Sequence, residues 1–227
     1  MAKLQKKAAE KRPYHRGNVA EDLTAAALRL LKTERYEDLS VRRLTREIGV
    51  TPANFYNHFE NLDDLLLNIA AAAHLRRADL IPKIQAKSKN RVEAAKAAAL
   101  DFVEFAIANP EIFRMMFGLP SRGQHAKFTA AADKSFGALV QMVYGEDLYD
   151  PSNLAETHVR CQTAYGLFAL AYGLARIVLE QNIELSSKAE IRAFVEEVVG
   201  RFIDGSISAD FKREPAPASR PGTSQGR

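Results

Sequence analysis

Residues 39–66 read LSVRRLTREIGVTPANFYNHFENLDDLL. Ser40 is placed to cap a helix over 41–48, and Gly49 stands just past its end, where a residue free to turn left-handed closes a helix. Thr51 and Pro52 open a second short helix, with proline at the first position, where its missing N–H costs nothing. Asn61 starts another, with Asp63 and Asp64 at the positive end of its dipole. Two short helices about a tight glycine turn form the pattern of a helix-turn-helix, whose second helix enters the major groove of DNA. With Leu44, Ile48, Val50, Phe55 and Phe59 turned inward, Pro52, Ala53, Asn54, Tyr56, Asn57 and His58 make an outward flank. Asn54 and Asn57 are the amides suited to base edges, and Tyr56 and His58 are suited to phosphate oxygens. Arg42, Arg43 and Arg46 lie one helix earlier, where side chains reach the DNA backbone. Spacing alone also admits a plain helical hairpin with a solvated polar edge.

On either side the chain reads as helix. Val19, Leu23, Ala26, Ala27, Leu30 and Leu31 share one face of a 3.6-residue period, with Asn18 as N-cap. The helix begun at Asn61 is expected to run to Ile81 and stop before Pro82, about 30 Å at 1.5 Å per residue, long enough to link two regions. Val92 to Ile107 carry a further stripe ended by Asn109-Pro110. A short helix over "EIFRMMF", one over Phe128–Val143, a long one from Asn153 to about Gln181 and a last one through Ile191–Ile203 complete an all-α chain. The expected domains are a flexible basic arm (1–17), a three-helix DNA-binding unit (18–62), a helical regulatory and dimerisation domain (63–208) and a disordered tail (209–227), whose "REPAPASRPGTSQGR" cannot form a core.

Composition bounds the function. Of 227 residues, 47% are hydrophobic, ample for a core. The apolar runs Leu65–Ala73 and Ala164–Ala175 are interrupted and fall short of a membrane span, and no apolar stretch follows the basic N-terminus to make a secretory signal. The expected compartment is the cytoplasm, with no membrane partner. Cys161 is the single cysteine, so no internal disulfide or cysteine-based metal cluster can form. The net charge of +4 is uneven: residues 1–17 hold six basic side chains against Glu10, and 211–227 hold four against Glu214, so the stretch between is acidic. Basic arms of this kind attract polyanions, above all nucleic acid.

The quoted stretch resembles the DNA-binding signature of TetR-type transcriptional regulators: a Ser-capped helix, a Gly-Val turn, a Thr-Pro start and Tyr-x-His-Phe in that order, over residues 19–70. The resemblance implies a helix-turn-helix unit joined by a long helix to a C-terminal ligand-binding and dimerisation domain. It makes Ser40 and Thr51 phosphate contacts through helix starts and Tyr56 and His58 backbone contacts. Pro52, Ala53, Asn54 and Asn57 would set sequence preference. Three positions depart from the pattern: Thr45 and Ile48 stand where alanines are usual, and Leu62 where a lysine often meets phosphate. The arm at Lys3–Arg16 is placed to compensate along the minor groove.

In the second half, "LDFVEFAIANPEIFRMMFG" is weakly similar to the start of one regulatory-domain type of that family, and "CQTAYGL" echoes its penultimate helix. Phe102, Phe105, Phe113, Met116, Phe117, Phe128, Phe136, Tyr165, Phe168 and Tyr172 are candidates to line an apolar cavity, with His125, Gln162 and His158 as polar anchors; each aromatic is equally at home in plain core. Cys161 reads as a small buried hydrophobe. Small residues at Ala164, Gly166, Ala169, Ala171, Gly173 and Ala175 permit close helix approach, and with the last helix they resemble the family's four-helix dimer interface.

These features predict a ligand-responsive regulator, a repressor first and an activator second, that binds a near-palindrome of double-stranded DNA as a homodimer and is released by a small apolar or aromatic effector. The rival reading is an effector-independent DNA-binding protein of the same fold that organises the chromosome. No phosphate-cradling Gly-rich loop, no metal-ligand spacing among the five histidines and no Ser/His/Asp or Cys/His set appears, so neither enzyme, cofactor nor metal is expected.

Overall fold

The computed structural model describes residues 18–119, 125–181, 183–185 and 187–211, with the side chains of the last helix described as far as Gly205. The basic arm and the tail beyond Phe211 lie outside the described residues; residues 209–211, expected as the start of the tail, are instead the end of the last helix. The chain divides into two compact units, with the boundary between Ile69 and Ala70.

The first unit packs α1 (Val19–Leu30), α2 (Val41–Ile48) and α3 (Pro52–Tyr56), with a 3-10 turn at Tyr36–Asp38. All three helices touch one another. Leu23, Ala26, Ala27, Leu44 and Phe55 are fully buried between them, and Phe59 packs its ring 5.5 Å from that of Phe55. Fully burying a leucine or phenylalanine side chain contributes about 1.5–3 kcal/mol, so Leu23, Leu44 and Phe55 contribute most to holding a unit this small together. Ser40 caps α2 by accepting the Arg43 N–H at 3.2 Å. Asn18 and Thr51 occupy N-cap positions without a side-chain hydrogen bond.

The chain passes into the second unit within α4 (Leu62–Lys87), which Asn61 opens by accepting the Asp64 N–H at 2.9 Å. The helix does not stop at Pro82, as the sequence suggests, but continues one and a half turns beyond it. Pro82 faces solvent while Ile81 is buried and Ile84 packs against the core cluster. Apolar contacts on both sides of the proline therefore offset the one backbone hydrogen bond that its ring forfeits.

The second unit is a helical bundle: α5 (Arg91–Ala108), α6 (Pro110–Gly118), α7 (Ala126–Tyr144), α8 (Leu154–Arg160), α9 (Gln162–Leu179) and α10 (Lys188–Phe211). Helix α5 is its centre, packed on α6, α7, α9 and α10. Its alanine-rich face (Ala94, Ala95, Ala98, Ala99) lets the neighbours approach closely, and Asn90 caps it through the Glu93 N–H at 2.9 Å.

The expected long helix 153–181 is two helices. At Cys161 the backbone leaves helical geometry (φ −107°, ψ 27°), and the Thr163 N–H is drawn to the Tyr144 hydroxyl at 3.1 Å instead of back along the helix. The Cys161 thiol is buried against the Leu148 carbonyl at 3.7 Å, and burial raises its pKa. Helix α9 has, by itself, the length and apolarity of a membrane span (18 residues, mean hydropathy 1.2). Leu167, Ala171, Leu174 and Ala175 bury one side of it in the bundle core.

Candidate nucleic-acid interface and ligand cavity

The α2–α3 turn is built on Gly49, whose φ of +75° is the left-handed conformation that costs other L-residues about 1–2 kcal/mol. Its N–H and that of Val50 close the end of α2 on the carbonyls of Arg46 and Thr45. Helix α3 is then pinned by Phe55, whose ring is edge-on to Tyr56 at 5.4 Å and tilted against Phe59. With Phe55 held inward, Thr51, Pro52, Ala53, Tyr56, Asn57 and His58 are exposed and Asn54 is half-buried. Tyr56 is 59% exposed.

Ser40 and Arg42 are exposed beside this flank, and neither Arg42 nor Arg46 forms an ion pair among the described residues. Arg43 differs. Its guanidinium reaches Glu34 at 3.0 Å and Glu47 at 3.4 Å, which ties α2 to the segment after α1.

In the second unit the aromatic side chains surround a cavity of about 380 Å³. Its apolar wall is Phe102, Met116, Phe117, Phe128, Phe136, Tyr165 and Phe168, joined by Ile81, Ala132 and Leu139. Phe102, Phe117 and Phe168 contact one another with ring centroids 5.8–6.3 Å apart. The polar wall is His74, Arg77, Ser135 and Tyr149. Tyr149 donates its hydroxyl hydrogen to Asp133 Oδ1 at 2.6 Å.

Arg77 is the strongest electrostatic feature of the wall. It is only 9% exposed, and its Cζ lies 4.2 Å from the Phe102 ring centroid. Burial pulls its pKa down to about 10, with Asp101 acting the other way and Arg76 adding to the fall, so it stays charged at neutral pH. Its nearest carboxylate, Asp101, is 3.6 Å from Nη1 and is shared with Arg76 at 3.9 Å. His74 is held neutral: burial lowers it to about 4, opposed by a hydrogen bond to the Met116 backbone and reinforced by the Arg77 charge. Its Nε2 has no hydrogen-bond partner, and its ring meets Phe128 and Phe117 edge-on at 5.3 and 5.8 Å.

Residues 23–77 match the family model described as "Bacterial regulatory proteins, tetR family", and residues 95–202 match "Tetracyclin repressor-like, C-terminal domain". The chain belongs to the TetR family. Solved structures of the same fold include a protein of unknown function from Rhodococcus sp. RHA1 (23% identity, TM-score 0.65, covering 84% of this chain and 98% of that one). The fatty acid degradation regulator FadR from Bacillus halodurans matches at 16% identity and TM-score 0.58, over 87% of this chain and 98% of its own. FadR from Bacillus subtilis, solved in complex with stearoyl-CoA, matches at 11% identity and TM-score 0.59, over 82% and 98%.

Within this TetR-family chain the departures at Thr45 and Leu62 have local explanations. Thr45 is 1% exposed and returns its hydroxyl hydrogen to the Val41 carbonyl at 2.9 Å, so a polar side chain is accommodated in the α2 packing. Leu62 is half-buried at the start of α4.

Of the expected cavity residues, Phe102, Met116, Phe117, Phe128, Phe136, Tyr165 and Phe168 line it and six do not. Tyr172 stacks on Phe113 at 5.7 Å, and His158 meets the Tyr165 ring edge-on at 5.0 Å. Phe113 is 1% exposed and lies behind the wall, against Phe102 and Phe117. Phe105 lies beneath the Arg76 guanidinium at 5.4 Å. His125 serves as the N-cap of α7, its Nδ1 accepting the Phe128 N–H at 3.1 Å. Gln162 is exposed at the first turn of α9. Sequence reasoning missed His74, Arg77, Ser135 and Tyr149. A signal existed for the first two: Ala70, His74, Arg77 and Ile81 fall on one face of α4, where polar residues interrupt an apolar stripe. Among the described residues no group of three His, Cys, Asp or Glu side chains is arranged to hold a metal ion.

Proposed function

We propose that the protein is a ligand-responsive transcriptional repressor of the cytoplasm that binds a near-palindromic operator as a homodimer. The observation that supports the DNA-binding half is the outward flank of Pro52, Ala53, Tyr56, Asn57 and His58, exposed, with Asn54 half-buried among them, beside a Phe55 that is locked inside. Asn54 and Asn57 read base edges, and Tyr56, His58, Ser40, Thr51 and Arg42 hold phosphates. Arg43, engaged by two carboxylates, contributes less than Arg42 and Arg46.

The regulatory half is supported by the cavity and by its place on the chain. His74 and Arg77 belong to α4, the same helix that leads out of the first unit, so a ligand that moves them acts directly on that helix. A 100-fold loss of operator affinity requires a coupling of about 2.7 kcal/mol. The small-residue face of α9 with α10 forms the dimer interface, and a symmetric dimer presents two reading helices to two half-sites. The FadR proteins of the same fold support a regulator of this kind without specifying its effector.

Selection of duplexes from a random pool tests the reading. The expected product is one inverted repeat, bound with an affinity that falls steeply with salt at about −0.9 per phosphate contact on a log–log plot. Recovery of sequences with no common motif and a salt-independent affinity would remove it. One or few genomic copies of the motif indicate a local regulator; many scattered copies indicate a chromosome organiser.

A further inference from the structure

The Arg77 guanidinium forms no hydrogen bond among the described residues, although it is nine-tenths buried and lines the cavity. A guanidinium carries five N–H donors in a fixed fork, and here they are left open to an acceptor that enters the cavity. Its one nearby carboxylate lies outside hydrogen-bond reach, at 3.6 Å. That carboxylate is also divided between two guanidiniums, Arg76 and Arg77, so the group as a whole keeps one positive charge. Phe102 covers a face of the Arg77 fork, which leaves the in-plane edge, the edge that accepts a carboxylate in bidentate fashion. His74 beside it is neutral and adds no second charge.

We propose that the cavity takes a small apolar monocarboxylic acid, its carboxylate seated on the edge of Arg77 and its alkyl or aryl body among Phe117, Phe128 and Phe168. The assignment rests on reading the second unit as an effector domain and names the chemistry of that effector. One carboxylate matches the one guanidinium on the cavity wall, whereas a phosphate dianion would leave a net negative charge among apolar side chains, where it is poorly solvated. A volume of about 380 Å³ lies near the lower end of the roughly 300–1,000 Å³ typical of ligand sites, which suits a single ring or a medium chain.

Isothermal titration of the full chain with decanoate and 4-phenylbutanoate, against decanamide and 4-phenylbutanamide, tests this. The acids are expected to bind at least about tenfold more tightly than their amides, because a charge-assisted pair is lost in the amide. In Arg77→Met the acids should weaken by the same factor while the amides keep their affinity. Arg77→Lys, with the charge but not the fork, should recover part of the loss. Amides that match the acids on the unmodified chain, or acids that bind Arg77→Met undiminished, overturn the proposal. So does failure of both acids to bind. The acid–amide comparison needs no variant, so it decides the matter even if Arg77→Met fails to fold. Specific binding of the selected duplex by ligand-free protein is measured in parallel; its loss counts against the regulator reading, and its presence with no acid binding counts against this inference alone.

Discussion

The guanidinium of Arg77 lies 4.2 Å from the ring centroid of Phe102, and this contact joins α4 to α5 at the wall of the aromatic cavity. A cation over a ring face contributes roughly 0.5–2 kcal/mol, more when water is excluded. The rest of the Arg77 environment is unfavourable: burial lowers its pKa and its ion pair is long. The protein thus holds a buried charge whose ion pair is long.

That arrangement predicts an asymmetry between two variants. Arg77→Met removes the buried charge and leaves Asp101 with Arg76, so its unfolding free energy in urea should equal or exceed that of the parent. Asp101→Ala leaves Arg77 buried beside Arg76 with no carboxylate and should cost about 3 kcal/mol. Equal destabilisation by both would show that the ion pair is a net stabilising contact.

His74 predicts an acid-sensitive window. Its folded pKa, about 4, lies below the unfolded value of 6.5, so the unfolded chain takes up a proton that the folded chain refuses. Stability from this group is complete above pH 6.5 and declines as pH falls towards 4, by about 3 kcal/mol over the window. His74→Leu should flatten the fall in unfolding free energy between pH 6.5 and 4.5. A variant whose stability tracks the parent over that range would exclude His74 as the cause.

At Gly49 the strain is purely conformational, since an added Cβ meets no atom within 4 Å at φ +75°. Gly49→Ala should lose about 1–2 kcal/mol of stability and Gly49→Asn less, because asparagine tolerates the left-handed region. Thermal unfolding of the two variants decides this, and equal melting temperatures for parent and both variants would contradict it.

Helix α9 carries Ala169 exposed and Gly173 with open space where a Cβ would be. A bulky charge there costs an isolated chain little but blocks a close-packed partner helix. Sedimentation should give twice the 25.2 kDa chain mass for the parent and the single-chain mass for Gly173→Arg, with unchanged helical content. A parent that sediments as a single chain would refute the dimer.

Much of the first unit was legible because its signals are local. The Ser40 cap and the Gly49 turn each depend on residues within a few positions, and the Phe55–Phe59 pair states which side of α3 is inside. The second unit was legible as helices but less so as a site. Pro82 reads as a stop because sequence alone does not show that Ile81 and Ile84 bury the helix on both sides of it. Cys161 reads as mid-helix because the Tyr144 hydroxyl that draws the Thr163 N–H is nineteen positions away. Arg77 was passed over for a related reason: charge predicts solvent, and only the packing of α5 against α4 makes it an interior group. Phe113 and Phe105 share composition with the cavity wall but differ in depth and facing, which periodicity does not resolve.

DNA recognition rests on the outward flank of α3. Its most direct test is the anisotropy of the selected duplex titrated with the parent and with Asn54→Ala/Tyr56→Ala/Asn57→Ala. Base-edge and phosphate contacts from three residues are each worth roughly 1–3 kcal/mol, so specific affinity should fall by about 100-fold or more while the melting temperature stays within a few degrees of the parent. A triple variant that binds the same duplex with undiminished affinity would show that DNA is read elsewhere or not at all.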